Sequence, residues 1–223
     1  MAESLDDKLA KIEGGERTLL QMCAHSMPAG GNMYHSDLFL LGVAKRTVAL
    51  ADGFRAQIAA RNFICAATLL RAHLDTALRL SGATLVADPE AYADAVFSGE
   101  QVDRRKDRDG NRLTDSYLAK KLSENQPWVQ NVYKELCKFG HFTSRHIFAS
   151  TAKLNDENRT VHFQVSAKDP PRPDSDYFEV VDAFHDTMRI IFTFAAAWQT
   201  AKRPERMAPT TPSNDFSGEP AAA

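Results

Sequence analysis

The 223-residue chain is short of cysteine: Cys23, Cys65 and Cys137 are odd in number, far apart and outside any CxxC spacing. A disulfide framework and a zinc knuckle are thereby excluded, and a reducing cytoplasm is the expected setting. It also lacks an excess of charge of either sign. With 27 Lys and Arg against 29 Asp and Glu, the chain has no global field to draw in nucleic acid or an anionic membrane, so any such contact must be local. Long apolar runs are missing too. The stretches 63–70 and 190–198 are too short or too interrupted to cross a hydrocarbon core, which takes about 20 residues, and both read as core helices. The opening MAESLDDKLAKIEGGE is acidic, without the basic segment and apolar run of an export signal. No GxxxxGK, GxGxxG, GxSxG or HExxH occurs, which removes support for the common nucleotide-binding, hydrolase and zinc-protease classes, and no cofactor is indicated.

What the chain does have is helical periodicity. With 43% hydrophobic and 25% charged residues it has the composition of a globular protein, of a length for one domain. The pattern predicts a mainly α fold, an antiparallel helical bundle with one short β-hairpin inserted before the C-terminal helix. A single helical domain is expected over 1–203, with an N-terminal helix over 3–24 and a core bundle over 36–202, followed by a disordered, Pro- and Ala-rich tail over 204–223. Gly14-Gly15 suggests a break in the first helix, MPAGGN (27–32) a loop, and Ser36 the cap of a helix to about 60 whose buried positions would be Leu38, Leu41, Val48, Phe54 and Ile58.

Asn62 should cap a central helix over 63–86, and Asp88-Pro89-Glu90 should open a short one to 97. Residues 100–112 have mixed charge and no apolar face. Helices are expected over 114–123 and from Pro127 to about 139, with Gly140 ending the second. The period then shortens to two between about 146 and 166, which predicts the hairpin. Three prolines in KDPPRPDSD (168–176) forbid helix or central strand there, and a strongly periodic helix over 175–202 closes the bundle.

Two constellations could carry chemistry. Arg71 and Asp75 stand four apart on the central helix, at the border of its apolar stripe and on the side of Thr68. They read either as a partly buried ion pair between packed helices or as an anion site in which Asp75 orients the Arg71 fork. The segment Lys138-Phe-Gly-His141-Phe-Thr-Ser144-Arg145-His146 gathers imidazoles, a hydroxyl and cations at a helix end. It reads either as helix capping or as a site where His141 and Arg145 could do acid–base work on a phosphodiester and Ser144 could add a hydrogen bond. Cys137 and His141 would be half of a metal site, but no second ligand pair exists, so no metal is assigned. The calcium-loop-like Asp107-Arg-Asp-Gly-Asn fails because Arg105 and Ser116 fall where the acidic ligands belong. His25, His35, His73, His162 and His185 are read as structural or surface residues, and Trp128 and Trp198 as core.

The order of elements adds a resemblance. A central helix reading LLRAHLDTALRL (69–80), a later helix ending YKELCKFGHFTSRH (133–146), then a hairpin and a long closing helix resemble helical bacterial proteins related to the HEPN superfamily and to abortive-infection-type proteins, over roughly residues 36–200. In these the central helix looks like LxRxxxE, with Arg71 at the arginine and Asp75 replacing the acid, and Tyr133 and His141 match the later segment. The resemblance implies a homodimer in a defence or stress context that binds RNA or a nucleotide through Arg71, Asp75, His141, Ser144 and Arg145. The chain departs from active HEPN ribonucleases, whose arginine is followed after four to six residues by a histidine: none follows Arg71 at that distance, and His141 precedes Arg145. A non-catalytic interaction or regulatory module is the alternative.

Overall fold

The computed structural model describes residues 3–26, 33–155 and 157–206; the loop expected at 27–32, residue 156 of the hairpin turn and the tail beyond 206 lie outside them. The fold is mainly α with one antiparallel hairpin before the last helix. Its helices are α1 (Leu5–Ser26), α2 (His35–Ala59), α3 (Phe63–Leu85), α4 (Pro89–Phe97), α5 (Asp115–Ser123), α6 (Val129–Gly140), α7 (Ser144–Ala149) and α8 (Phe178–Arg206). The strands are β1 (Thr151–Asn155) and β2 (Thr160–Phe163).

The caps read from sequence form at several ends. Asn62 accepts from Cys65 N at 3.1 Å, and Asp88 accepts from Glu90 N and Ala91 N at 3.0 Å each, satisfying amides that the first turn leaves free. Others differ. Helix α2 starts one residue before Ser36, which is buried and donates its hydroxyl to Glu90 Oε1 at 2.5 Å, tying α2 to α4. The buried stripe of α2 runs through Val43, Ala44, Thr47, Ala51, Phe54 and Ile58, so Leu38, Leu41 and Val48 are only partly covered. Pro127 lies in the turn before α6, not at its first position.

The expected break at Gly14-Gly15 is absent, and α1 is continuous. Gly15 is where α1 meets α8: a side chain there would collide with the sulfur of fully buried Met188. Hydrogen alone lets the two helices approach, and the packing gained outweighs glycine's weak helix propensity.

Consecutive long helices run antiparallel, while α8 returns parallel to α1 and α3. Lys8 pairs with Asp182, Gly15 meets Met188 and Gln199 reaches the Met22 carbonyl. Likewise Phe63 lies by Tyr177 and His73 by Phe184. The Pro-rich crossover makes this possible by carrying the chain back to the start of α3. Its Asp169 carboxylate accepts from Phe63 N at 3.1 Å, from Arg172 at 2.6 Å and from the Tyr177 hydroxyl at 2.7 Å.

At the centre Phe54, Phe184 and His73 form a three-ring stack, with centroids 4.3 Å and 4.1 Å apart. His73 is fully buried, and among the described residues neither ring nitrogen meets a partner at good hydrogen-bond geometry. Burial, aided by the Arg46 charge, pushes its pKa down to about 3, and the ring is neutral.

The hairpin is shorter than expected. Residues 144–149 form α7 because Thr143 caps them: its hydroxyl accepts from Arg145 N at 3.4 Å and its N–H donates to His146 Nδ1 at 3.2 Å. The alternation around Ile147 and Ala149 therefore does not mark a strand, which starts only at Thr151. Pairing begins at Thr151↔Phe163 and continues through Leu154↔Val161 to Asn155↔Thr160.

Candidate functional site

Arg71 and Asp75 do not pair. Arg71 reaches off α3 to Asp115, the first residue of α5, at 2.8 Å, and its guanidinium lies 4.8 Å over the Tyr133 ring of α6. Burial works to lower the Arg71 pKa, but hydrogen bonds with Asp115 and Cys137 outweigh it and raise the pKa. Asp115 also receives Arg79, whose other nitrogens hold the Leu113 carbonyl at 3.0 Å and Asp75 at 3.5 Å. Asp75 finally approaches Arg46 of α2 at 3.8 Å. A chain of alternating charges, Arg46, Asp75, Arg79, Asp115 and Arg71, thus runs along one side of α3. It carries three cations and two anions and ties α2, α3, α5 and α6 together. Thr68 bonds back to the Ile64 carbonyl and takes no part.

His141, Ser144 and Arg145 stand elsewhere, at the elbow between α6 and α7, and all three are exposed. His141 is the residue after α6, and Ser144 opens α7. Arg145 pairs with Glu135 at 2.7 Å, and Lys138 holds the same carboxylate at 2.6 Å. The two cations, Lys138 first, keep the Glu135 pKa below its usual value. Arg71 and Asp75 belong to the bundle wall, whereas His141, Ser144 and Arg145 belong to this elbow.

The elbow leads into an arm, α7 and the hairpin, that carries a signal missed in the sequence. Of twelve exposed large hydrophobic side chains among the described residues, seven fall between 142 and 165: Phe142, Ile147, Phe148, Leu154, Val161, Phe163 and Val165. That concentration marks the arm, since single exposed apolar residues are ordinary and contiguous ones are not. The hairpin packs chiefly on itself and on α7. Between the arm and the start of α3 lies a cavity of about 440 Å³ whose lining includes Phe63, Phe139, Arg145, Phe148, Asp169 and Arg172. Its two arginines are each already held by a carboxylate. The sequence held the signal in the alternation of TVHFQV at 160–165, which has no acidic, lysine or proline residue.

Among the described residues no group of three or more potential metal ligands exists, and no helix is long and apolar enough to cross a membrane. Neither a family model, nor a curated protein, nor a solved structure matches the chain. The functional reading therefore rests on the geometry of the arm and of the charged wall.

Proposed function

We propose that the protein is a non-catalytic interaction module that dimerises through its arm. The observation that carries this reading is the run of exposed apolar side chains, five on α7 and the two strands and two, Phe142 and Val165, flanking them. An isolated two-stranded hairpin is marginal in water, and an open strand edge without charge or proline is a template for another strand. The sequence of β2 has no Asp, Glu, Lys or Arg, whereas β1 carries Lys153. Two β2 edges related by a two-fold axis meet antiparallel without like charges facing, whereas two β1 edges would bring lysines together. A second copy is therefore the partner that fits this edge. The unpaired cysteines suit a cytoplasmic setting.

A second reading, RNA or nucleotide binding in a HEPN-like defence protein, draws support from exposed Phe142 and Phe148 beside Lys138, His141 and Arg145. It ranks lower because Glu135 already holds both Lys138 and Arg145, and because Ile147, Leu154, Val161 and Val165 offer no ring for a base to stack on.

Sedimentation equilibrium of the purified protein at micromolar concentration tests the first reading. A dimer is expected that Phe163→Glu converts to a monomer with an unchanged helical circular-dichroism spectrum. A wild-type monomer overturns it, as does a dimer that Phe163→Glu leaves intact. A fluorescent single-stranded oligoribonucleotide added to both proteins checks the second reading, which requires binding that Lys138→Ala with Arg145→Ala abolishes.

A further inference from the structure

At the opposite end of α2 from the crossover, α2, α3 and α4 enclose a cavity of about 290 Å³. Its walls are apolar: Leu38, Phe39 and Val43 from α2, and Ala93, Val96 and Phe97 from α4. Val96 and Phe97 are also exposed to solvent, and the Phe97 ring stacks on His35 at 5.3 Å. An apolar mouth of this kind costs solvation that a ligand would recover. The other wall is the near end of the charge chain, with Arg46, Asp75, Thr76 and Arg79 of that wall lining the space.

The charges there are unequal. Asp75 is shared between Arg79 and Arg46, and it stands 3.8 Å from Arg46, longer than a hydrogen bond. Arg46 spends Nε on Thr76 at 2.9 Å and Nη2 on the Ala72 carbonyl at 3.5 Å. Nη1 has no hydrogen-bond partner among the described residues. With three arginines to two aspartates in the chain, one positive charge is left over, and Arg46 is its least neutralised member. Half of its side chain remains in contact with solvent.

We infer that this cavity binds a small amphipathic monocarboxylate, its hydrocarbon body between α2 and α4 and its carboxylate on Arg46. Charge complementarity selects the head group: a carboxylate completes the guanidinium fork with a charge-assisted hydrogen bond, whereas a cation meets an excess of arginine. Volume selects the body. An apolar cavity of about 150 Å³ accepts benzene, so this one takes roughly eight to twelve carbons. The site is remote from the arm and does not depend on dimerisation.

Gly42 supplies the test, because it lines the cavity and a Cβ built on it meets nothing within 4 Å. Gly42→Leu adds bulk to the cavity lining at a position whose Cβ meets no atom within 4 Å, and it replaces a poor helix former with a good one, so the variant should fold at least as stably as the wild type. Calorimetric titration of the full chain with octanoate, 1-octanol and butyrate should show octanoate binding about tenfold or more tightly than either of the others. Gly42→Leu should abolish octanoate binding while its melting temperature holds. Arg46→Gln should weaken octanoate about tenfold and leave 1-octanol unchanged. Absence of octanoate binding to the wild type overturns the inference. So does octanoate binding that survives Gly42→Leu, or 1-octanol binding as tightly as octanoate.

Discussion

At the centre of the bundle Phe54 and Phe184 are sealed from water in a stack completed by His73, while in the arm Phe142, Phe148 and Phe163 are 84%, 70% and 63% exposed. The residue type is the same and the surroundings decide its role. In the bundle, apolar positions three and four apart on α2, α3 and α8 face one another, so each helix covers the others. In the arm a six-residue helix and two short strands present apolar side chains that no other described residue covers. Aromatic content thus marks a core only where neighbouring elements share its period; where they do not, it marks a contact surface.

The comparison is broken most severely at Phe184. Phe184→Ala should cost about 3–5 kcal/mol in chemical denaturation, as a fully buried ring leaves a cavity between its two partners. Phe148→Ala in the arm should stay within about 0.5 kcal/mol of wild type when measured on the monomer. Comparable losses at both positions would mean that the arm is part of the core.

Acid sharpens the same contrast. His73 has a folded pKa of about 3 against an unperturbed 6.5. Below pH 6.5 the unfolded chain takes a proton that the folded one refuses, so the stability present above pH 6.5 falls as pH drops toward 3. The slope is about 1.4 kcal/mol per pH unit, or roughly 2 kcal/mol lost by pH 5. Melting curves from pH 7 to 5 should show this slope in the wild type and a shallower one in His73→Leu. An unchanged slope in His73→Leu would remove His73 as the cause.

The charged wall should respond less than the buried stack. Arg71→Ala loses a partly exposed bond to Asp115 and the contact with Tyr133, but Arg79 still holds Asp115. A cost of about 1–2 kcal/mol is expected, below the 3–5 kcal/mol of stranding a buried charge. Urea denaturation measures it, and a loss in the larger range would show that Asp115 cannot be held by Arg79 alone.

Much of the bundle is legible in the sequence because caps and apolar spacing act locally. Asn62 and Asp88 cap the helices assigned to them, and α8 follows its stripe. What escapes reading is tertiary. Gly15 looks like a break unless Met188 is known to lie against it. Ser36 looks like a cap until Glu90 reaches it from another helix. Arg71 looks like the partner of Asp75 because the two are one turn apart, yet Asp115, absent from any local pattern, offers the better bond. Arg79, four residues after Asp75, obeys the same spacing rule and does pair with it, at 3.5 Å. The arm was half legible: its alternation announced strands, but Thr143 turned 144–149 into helix, and no periodicity tells that a hairpin lacks a cover.

The parallel return of α8 has a consequence for how the chain is made. The 92 residues between Leu85 and Phe178 must be synthesised before the helix that covers His73, Phe54 and Gly15 exists. At about 5–20 residues per second that is on the order of 5–20 s. During that interval α1, α2 and α3 present the ribosome's surroundings with the very face on which the finished core depends.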